Sequence, residues 1–405
     1  MVPKLRRVLC KIVIVLIFVL SAEEAYAQIV ESDERAQMNV DEGLSFSKDS
    51  LFLLNFRFRM QNRAGLNTLA GDDLRIKDFE MRVRRLRLRF DGFVGNPKLQ
   101  YYIQLGFSKA DLDLESAAIA QPIRDAVLYY FVNDNFYIGF GQSKLPGNRQ
   151  RVISSGNLQF ADRSIANAYL TIDRDFGLFL YKTVPMNGLS LIQLKGVVST
   201  GDGRNASAIN SGLAYTGRME YLPFGTFSNV GDYTEGDLEY EYTPKLSIGM
   251  TLSANFQATR TGGQLGPELY EDRDMTSFFI DGMFKYMGWA VLGEYMQRTS
   301  PNPITTNTEG DIRLVQVGKG FNTQVSKMIN RKMELAARYS RVVPDESIKE
   351  LQDRIDEAII GYSWYVNGHR IKLQANFGYK WLEGLYQIDN TSNSFTGMFQ
   401  VEFGI

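Results

Sequence analysis

Apolar and polar residues alternate along most of this chain with a period of two. Leu246, Ile248, Met250, Leu252, Ala254 and Phe256 are apolar. Ser247, Gly249, Thr251, Ser253, Asn255 and Gln257 between them are small or polar. Strand side chains point to opposite faces in turn, so such a segment has one greasy face and one wet face. Phe52, Leu54, Phe56, Phe58 and Met60 repeat the pattern against Leu53, Asn55, Arg57, Arg59 and Gln61. Further strands are predicted at 79–93, 98–108, 122–132, 135–145, 174–184, 189–199, 211–222 and 236–243. The series continues at 246–258, 276–286, 288–298, 311–327, 331–342, 357–366, 369–382 and 395–405. The alternation slips at 174–184 and 311–327. These lengths suit tilted strands of about 9–11 residues that cross a bilayer, with extensions.

The connections are short and long in turn. Asn96-Pro97, Asn133 to Asn135, Met287-Gly288, Asn330 and Asn367-Gly368 predict tight turns. Between them lie Asn62 to Asp78, Lys109 to Gln121, Pro146 to Asp173, Thr259 to Met275, Ser300 to Gly310, Val343 to Asp356 and Glu383 to Ser394. Outer-membrane barrels have this asymmetry, with short periplasmic turns and long external loops. A soluble sandwich has no reason to gather its long loops at one end. The expected fold is therefore an all-β transmembrane antiparallel barrel spanning residues 50–405. An even strand number is needed if both chain ends are periplasmic. Omitting 236–243 restores the alternation of turns and gives about 16 strands, the preferred reading; a missed strand near Phe227 would give 18. The last strand carries Phe395, Phe399, Val401, Phe403 and Ile405 on one face, as expected of a strand that closes a barrel against the first.

The N-terminus reads as a cleaved secretory signal, residues 1–27. Lys4, Arg6, Arg7 and Lys11 precede the apolar run Ile12 to Leu20, which is too short to span a membrane, and Ala25-Tyr26-Ala27 is a small-x-small cleavage site. Residues 28–49 are polar and acidic without a sustained period, and are expected to be a flexible periplasmic lead-in. Cleavage removes four basic and two acidic residues and takes the formal charge from −1 to −3, which argues against nucleic acid as a partner. Cys10 lies in the signal, so the mature chain has no thiol for disulfides or metal. The 21 Tyr and 26 Phe suit strands and the aromatic girdles of a membrane barrel.

Arginine is the charge that changes the picture. Arg57 and Arg59 fall on the wet face of the first strand. If Leu86, Leu88 and Phe90 face lipid, Arg85, Arg87 and Arg89 face the lumen. Met81 and Val83 have the opposite parity, so a bulge near Arg84-Arg85 would turn Arg82 and Arg84 inward as well. Adjacent strands would then present seven guanidiniums on one patch of wall, each able to grip an anion with its fork of donors. A second reading has these arginines bracing the barrel against Glu80, Asp91, Glu220, Glu239 and Glu241. Residues 55–98 hold eleven basic and five acidic side chains, so some positive charge should stay unpaired. The segment Pro146 to Asp173, with Arg149, Arg151 and Arg163, is a candidate constriction loop, and an ordinary external loop is the alternative.

No catalytic or metal constellation is expected. His369 is the single histidine and follows the turn Asn367-Gly368, which places it at the periplasmic end. Gly201-Asp202-Gly203 lacks the lysine and helix of a phosphate loop. Nothing implies a cofactor.

The chain resembles the phosphate-selective porin O and P family, in particular its Bacteroidetes-like members. The resemblance rests on Arg84-Arg85-Leu86-Arg87-Leu88-Arg89-Phe90, Arg124-Asp125-Ala126 and Gly141-Gln142-Ser143-Lys144-Leu145-Pro146. It continues through Ser154-Ser155, Phe160-Ala161-Asp162-Arg163-Ser164 and Glu334 to Ser340, and ends in the hairpin Gly361 to Leu373. The resemblance implies a 16-stranded barrel, commonly a homotrimer, with an arginine-lined route for anions such as phosphate. It also implies a position in the outer membrane of a Gram-negative-type bacterium. No equivalent of the family's lysine-rich binding loop is located in the sequence: Pro146 to Asp173 holds arginines but no lysine. The expected function is passive diffusion of small hydrophilic solutes, biased towards anions. The alternatives are a non-selective pore, a structural or adhesive barrel, and an outer-membrane enzyme.

Overall fold

The computed structural model describes residues 37–39, 43–112, 121–206, 212–383 and 393–405. The expected signal, residues 1–27, lies outside the described residues, as does much of the expected lead-in. Two short strands come first, β1 (Gln37–Asn39) and β2 (Leu44–Lys48). They pair with each other, and β2 pairs with the foot of the next strand through Leu44↔Phe56 to Lys48↔Phe52. The end of the expected lead-in is thus paired to the barrel.

The wall begins with β3 (Phe52–Thr68), β4 (Ile76–Val94), β5 (Leu99–Gly106), β6 (Ile123–Asn133), β7 (Phe136–Lys144), β8 (Arg174–Pro185), β9 (Leu191–Ser199) and β10 (Ala214–Leu222). It continues with β11 (Lys245–Arg260), β12 (Glu268–Tyr286) and β13 (Trp289–Thr299); a small external hairpin, β14 (Ile304–Thr306) with β15 (Ile312–Leu314), then intervenes. Finally come β16 (Gly318–Asn330), β17 (Met333–Pro344), β18 (Arg354–Asn367), β19 (Ile371–Glu383) and β20 (Ser394–Gly404). Each wall strand pairs antiparallel with its neighbour, and β20 closes on β3 with Phe403↔Met60 and Gln400↔Arg63. The result is a closed barrel of sixteen wall strands among the described residues.

Burial is inverted relative to a soluble protein. On β11, Ile248, Met250 and Leu252 are each 45% exposed, while Ser247 and Thr251 are fully buried. Phe399, Val401 and Phe403 are likewise exposed on β20. An apolar exterior with a polar interior is the pattern a bilayer selects. Closure pairs each wall strand on both sides, which lipid also demands. The hairpin at Met287-Gly288 needs positive φ at both positions, 50° and 79°, as a two-residue turn matched to strand twist requires.

Several sequence expectations need correction. Residues 236–243 form no strand, and neither does the region of Phe227; Ser228–Tyr233 is a 3-10 turn instead. Asn62 to Asp78 and Thr259 to Met275 are not loops throughout, because β3, β4, β11 and β12 run on and leave connections of only 69–75 and 261–267. Strands that rise beyond the bilayer are wet on both faces and lose the alternation that marks them. Strand 311–327 is shifted to Gly318–Asn330.

Two connections fold into the barrel. From the end with long loops, residues 145–173 enter as two short helices, Arg149–Val152 and Ile165–Leu170, the second capped by Ser164 accepting from the Asn167 N–H. Leu145, Ala166, Leu170 and Ile172 pack on the inward-facing Phe179, Val197, Phe279, Met296 and Val342. Ile153 and Leu158 pack on Leu222, Met283 and Leu292, and Phe160 packs on Ala336 and Ile359. Each such side chain contributes about 1.5–3 kcal/mol to holding the segment inside. From the end with short turns, residues 223–244 enter to meet it. Phe227 joins the cluster of Ile153 and Leu158. Glu235 accepts from Gln150 Nε2 at 3.1 Å and from the Gln159 N–H at 2.8 Å, and its own N–H donates to the Asn157 carbonyl.

Candidate functional site: an arginine-lined lumen

The two inserts fill one side of the barrel and leave space along the wall formed by β3–β8. The register of β3 and β4 decides what lines that space. Arg57 lies opposite Arg89, Arg59 opposite Arg87, Gln61 opposite Arg85 and Arg63 opposite Arg82. A register shift between Gln61 and Asn62 makes Arg84 the extra residue, a bulge where the sequence parity requires one. Like charges directly opposite each other destabilise a sheet. Three arginine–arginine pairs in one ladder therefore need either counter-charges or a use for unneutralised charge.

Both are present. The cavity has a volume of about 680 Å³ and is lined by fourteen cationic side chains against three aspartates, Asp111, Asp125 and Asp173. It extends from Arg260 and Gly266 near the long loops to His369 and Arg370 near the short turns. Arg87 donates to both oxygens of Asp111 at 2.9 and 2.6 Å, and Arg124 donates to the same carboxylate at 2.7 Å. Arg174 grips Asp125 with two bonds, 2.9 and 3.0 Å. Arg63 and Arg84 reach Asp162 at 2.6 and 3.2 Å, and Arg89 reaches Asp91 at 2.6 Å. Arg59 meets Glu402 at 3.6 Å and donates to Ser154 and Ser155. Arg57 and Arg163 form no carboxylate pair among the described residues. Arg163 donates instead to the Gln150 and Ile153 carbonyls, and the buried Nε of Arg57 has no partner.

The inserted carboxylates carry the signature of this field. Burial alone would raise the pKa of Asp162, but the Arg63 hydrogen bond and the charges of Arg84, Arg63 and Arg85 outweigh it and hold the group below the ordinary carboxylate value. Asp111 is opposed by burial in the same way and is held low by Arg87, Arg124 and Arg85.

Of the expected ladder, Arg57, Arg59, Arg84, Arg85, Arg87 and Arg89 line the cavity. Arg82 does not: it lies beyond the bulge, half exposed, and pairs with Glu80 at 3.0 Å. The segment 146–173 does fold inward. Arg151 and Arg163 line the cavity, whereas Arg149 points away from it. Arg149 is fully buried, donating to Asp281 at 3.0 Å, to Ser247 at 2.7 Å and to the Asp232 carbonyl. It is an anchor to the wall rather than a pore-facing group.

Glu80 and Asp91 brace the ladder as expected, but Glu220 pairs with Arg218 and Lys195, Glu239 with Asn229 and Glu241 with Ser228. Asp111, Asp162 and Glu402, which supply much of the counter-charge, were not read from the sequence as partners of the ladder. Arg124, Lys144, Arg174, Arg204, Arg260 and Arg370 also line the cavity and were not read as lining from the sequence. The adjacent opposite charges Arg124-Asp125 and Asp173-Arg174 at strand ends were the available signal. His369 sits in the β18–β19 turn with Nδ1 3.3 Å from Lys372 Nζ; burial and the lysine charges keep it below its ordinary pKa. Among the described residues no cluster of His, Cys, Asp or Glu suits a metal ion, and no helix is long and apolar enough to cross a membrane.

A closed barrel, apolar outside and charged within, with a loop folded into its lumen, defines an outer-membrane channel of the porin type. The profile of the phosphate-selective porin O and P family matches residues 54–403, and the chain belongs to that family. A search of the curated proteins found no match. Solved porins share the fold. An anion-selective porin from Comamonas acidovorans has a TM-score of 0.55 at 10% identity, covering 87% of this chain and 100% of its own. OmpF of Salmonella typhi, in complex with daunomycin, has a TM-score of 0.54 at 11% identity, covering 89% and 99%. The outer membrane channel DcaP of Acinetobacter baumannii has a TM-score of 0.52 at 12% identity, covering 88% and 99%.

Proposed function

We propose that this protein is a passive diffusion channel that favours small anions, phosphate among them, through the arginine wall of β3 and β4. The observation that carries this reading is the imbalance of fourteen cationic side chains to three aspartates around one open cavity. Rings of one charge sign set the ion selectivity of a pore. Arg57, Arg59, Arg84, Arg85, Arg87 and Arg89 form the anion path along the strand wall, and Arg151 and Arg163 face them from the inserted loop. Arg82 guards the outer rim together with Glu80. Export by a cleaved signal of residues 1–27 and assembly as a homotrimer complete the proposal; both accord with membership of a porin family. No turnover or cofactor is part of it.

The test is the reversal potential of the purified protein in a planar bilayer under a KCl gradient, followed by titration with phosphate. Anion selectivity with concentration-dependent block by phosphate is the expected result. The pairing of Arg63, Arg84, Arg87 and Arg89 with carboxylates favours a second reading, in which the ladder braces a general diffusion pore. Open channels with weak or cation selectivity would establish that reading instead.

A further inference from the structure

A second cavity, of about 350 Å³, adjoins the arginine-lined one; Tyr129, Ser143, Lys144 and Val152 stand on the walls of both. Its own wall comes from inward-facing residues of β7, β8 and β9. Tyr137 lies opposite Tyr181, Tyr181 opposite Lys195, and Thr183 opposite Gln193. The aromatic rings are stacked on one another. Tyr137 and Tyr181 have centroids 4.7 Å apart at 16°, and Phe131 and Tyr137 are 4.9 Å apart at 28°. Rings whose faces are already covered offer a solute their edges and hydroxyls, not a stacking surface. Tyr129 is engaged with Ser143, but the hydroxyls of Tyr137 and Tyr181 and the side chains of Thr183 and Gln193 make no hydrogen bond among the described residues. Four uncommitted polar groups therefore face one cavity. The three hydroxyls and the amide can donate as well as accept.

We propose that this cavity is a subsite for the polyhydroxylated body of a phosphorylated sugar whose phosphate lies in the arginine-lined lumen next door. The inference rests on the anion-path reading above and names a solute class for it. Groups that both donate and accept match sugar hydroxyls, which do the same. The shared wall, where Lys144 donates to the Val152 and Ile153 carbonyls, places the polyol side within reach of the cationic side. The stacked rings of Tyr137 and Tyr181 offer a flat aromatic anion little free face to lie on.

The experiment is block of single-channel current by inorganic phosphate, glucose 6-phosphate, glucose and phenyl phosphate, each added to the full-length channel. Glucose 6-phosphate should block at about tenfold lower concentration than phosphate, the gain expected from a few net hydrogen bonds. Glucose alone should not block. The double variant Y137F/Y181F keeps the rings and removes the hydroxyls. It should weaken glucose 6-phosphate block about fivefold and leave phosphate block unchanged. Gln193→Ala should act in the same direction. Four results would overturn the proposal: equal block by phosphate and glucose 6-phosphate, loss of both together in the variants, phenyl phosphate blocking as tightly as the sugar phosphate, or hydroxyl removal without effect. Phosphate block of the wild-type channel reads the anion path by itself, so failure of that reading is seen separately.

Discussion

Arg57 offers the cleanest test of whether the ladder acts through its charge. It lines the cavity, faces Arg89 across the sheet, and has no carboxylate pair among the described residues. Its removal therefore subtracts one unneutralised charge and breaks no ion pair. A chloride passing roughly 6 Å away gains about 0.7 kcal/mol from a unit charge even at the dielectric of bulk water. That corresponds to about a threefold change in local anion population, and charge reversal doubles the energy to give about tenfold. A narrow lumen lowers the effective dielectric and raises these values, whereas salt screening lowers them. Arg57→Gln should cut the chloride-to-potassium permeability ratio about threefold and Arg57→Glu about tenfold, by reversal potential in 0.1 M KCl, where the Debye length is about 10 Å. In 1 M KCl, with a screening length of about 3 Å, the difference should shrink. Heat-modifiable migration on a gel would confirm that each variant is folded. A folded Arg57→Glu channel with the wild-type ratio at low salt would refute the reasoning and leave the arginines as wall braces.

Three further outcomes are expected. Arg149→Leu removes the buried fork that ties residues 145–173 to Asp281 and Ser247; Asp281 keeps its two bonds to Arg218, so the loss is that of charged hydrogen bonds, about 1.5–3 kcal/mol, and single-channel conductance should rise as the segment leaves the lumen. Asp162 has a folded pKa below its ordinary value of 3.8. Its contribution to holding that segment is therefore fully present above about pH 4 and is lost as pH falls below it; conductance should stay level from pH 8 to 5 and become noisy only in stronger acid, and a change near neutrality would contradict the assignment. Leu252→Lys puts a charge on a lipid-facing mid-strand position that is 45% exposed. It should cost about 2–4 kcal/mol in urea unfolding from liposomes, whereas Thr251→Ser on the lumen side should be nearly neutral.

The wall was legible in the sequence because its code is local. Leu86, Leu88 and Phe90 must meet lipid, so Arg85, Arg87 and Arg89 must face in, and the parity change at Met81 and Val83 demands the bulge found at Arg84. The inserts were not legible in the same way. The one alternating stretch within residues 223–244, at 236–243, pointed to a wall strand rather than an insert, yet Phe227 and Glu235 sit deep in the lumen against the other insert. Asp162 and Asp111 were missed for the same reason: both belong to connections, and their partners are set by three-dimensional return rather than by register. Arg149 was assigned to the pore because it shares a loop with Arg151. Its neighbours on distant strands, Asp281 and Ser247, send it the other way.

The division of the lumen follows from the cost of burying charge. On the filled side, Arg149, Arg218 and Lys195 are enclosed with Glu220 and Asp281, and every one of these cations has an anionic partner. Enclosed guanidiniums without partners would cost several kcal/mol each. The open side obeys a different rule. Arg57 is only half-buried and lines the open cavity, so the ladder can hold more cations than carboxylates without the full cost of enclosure. The two inserts therefore have opposite consequences for the charges around them. Where they pack, they force neutralisation; where they stop, they confine the remaining space to the β3–β4 stretch of wall, on which arginine faces arginine. In an unfilled barrel of sixteen strands a solute could pass far from β3 and β4, beyond the screening length of about 8 Å at physiological salt. With the far side occupied from both ends, a solute crossing by the open cavity passes the ladder within range of its field.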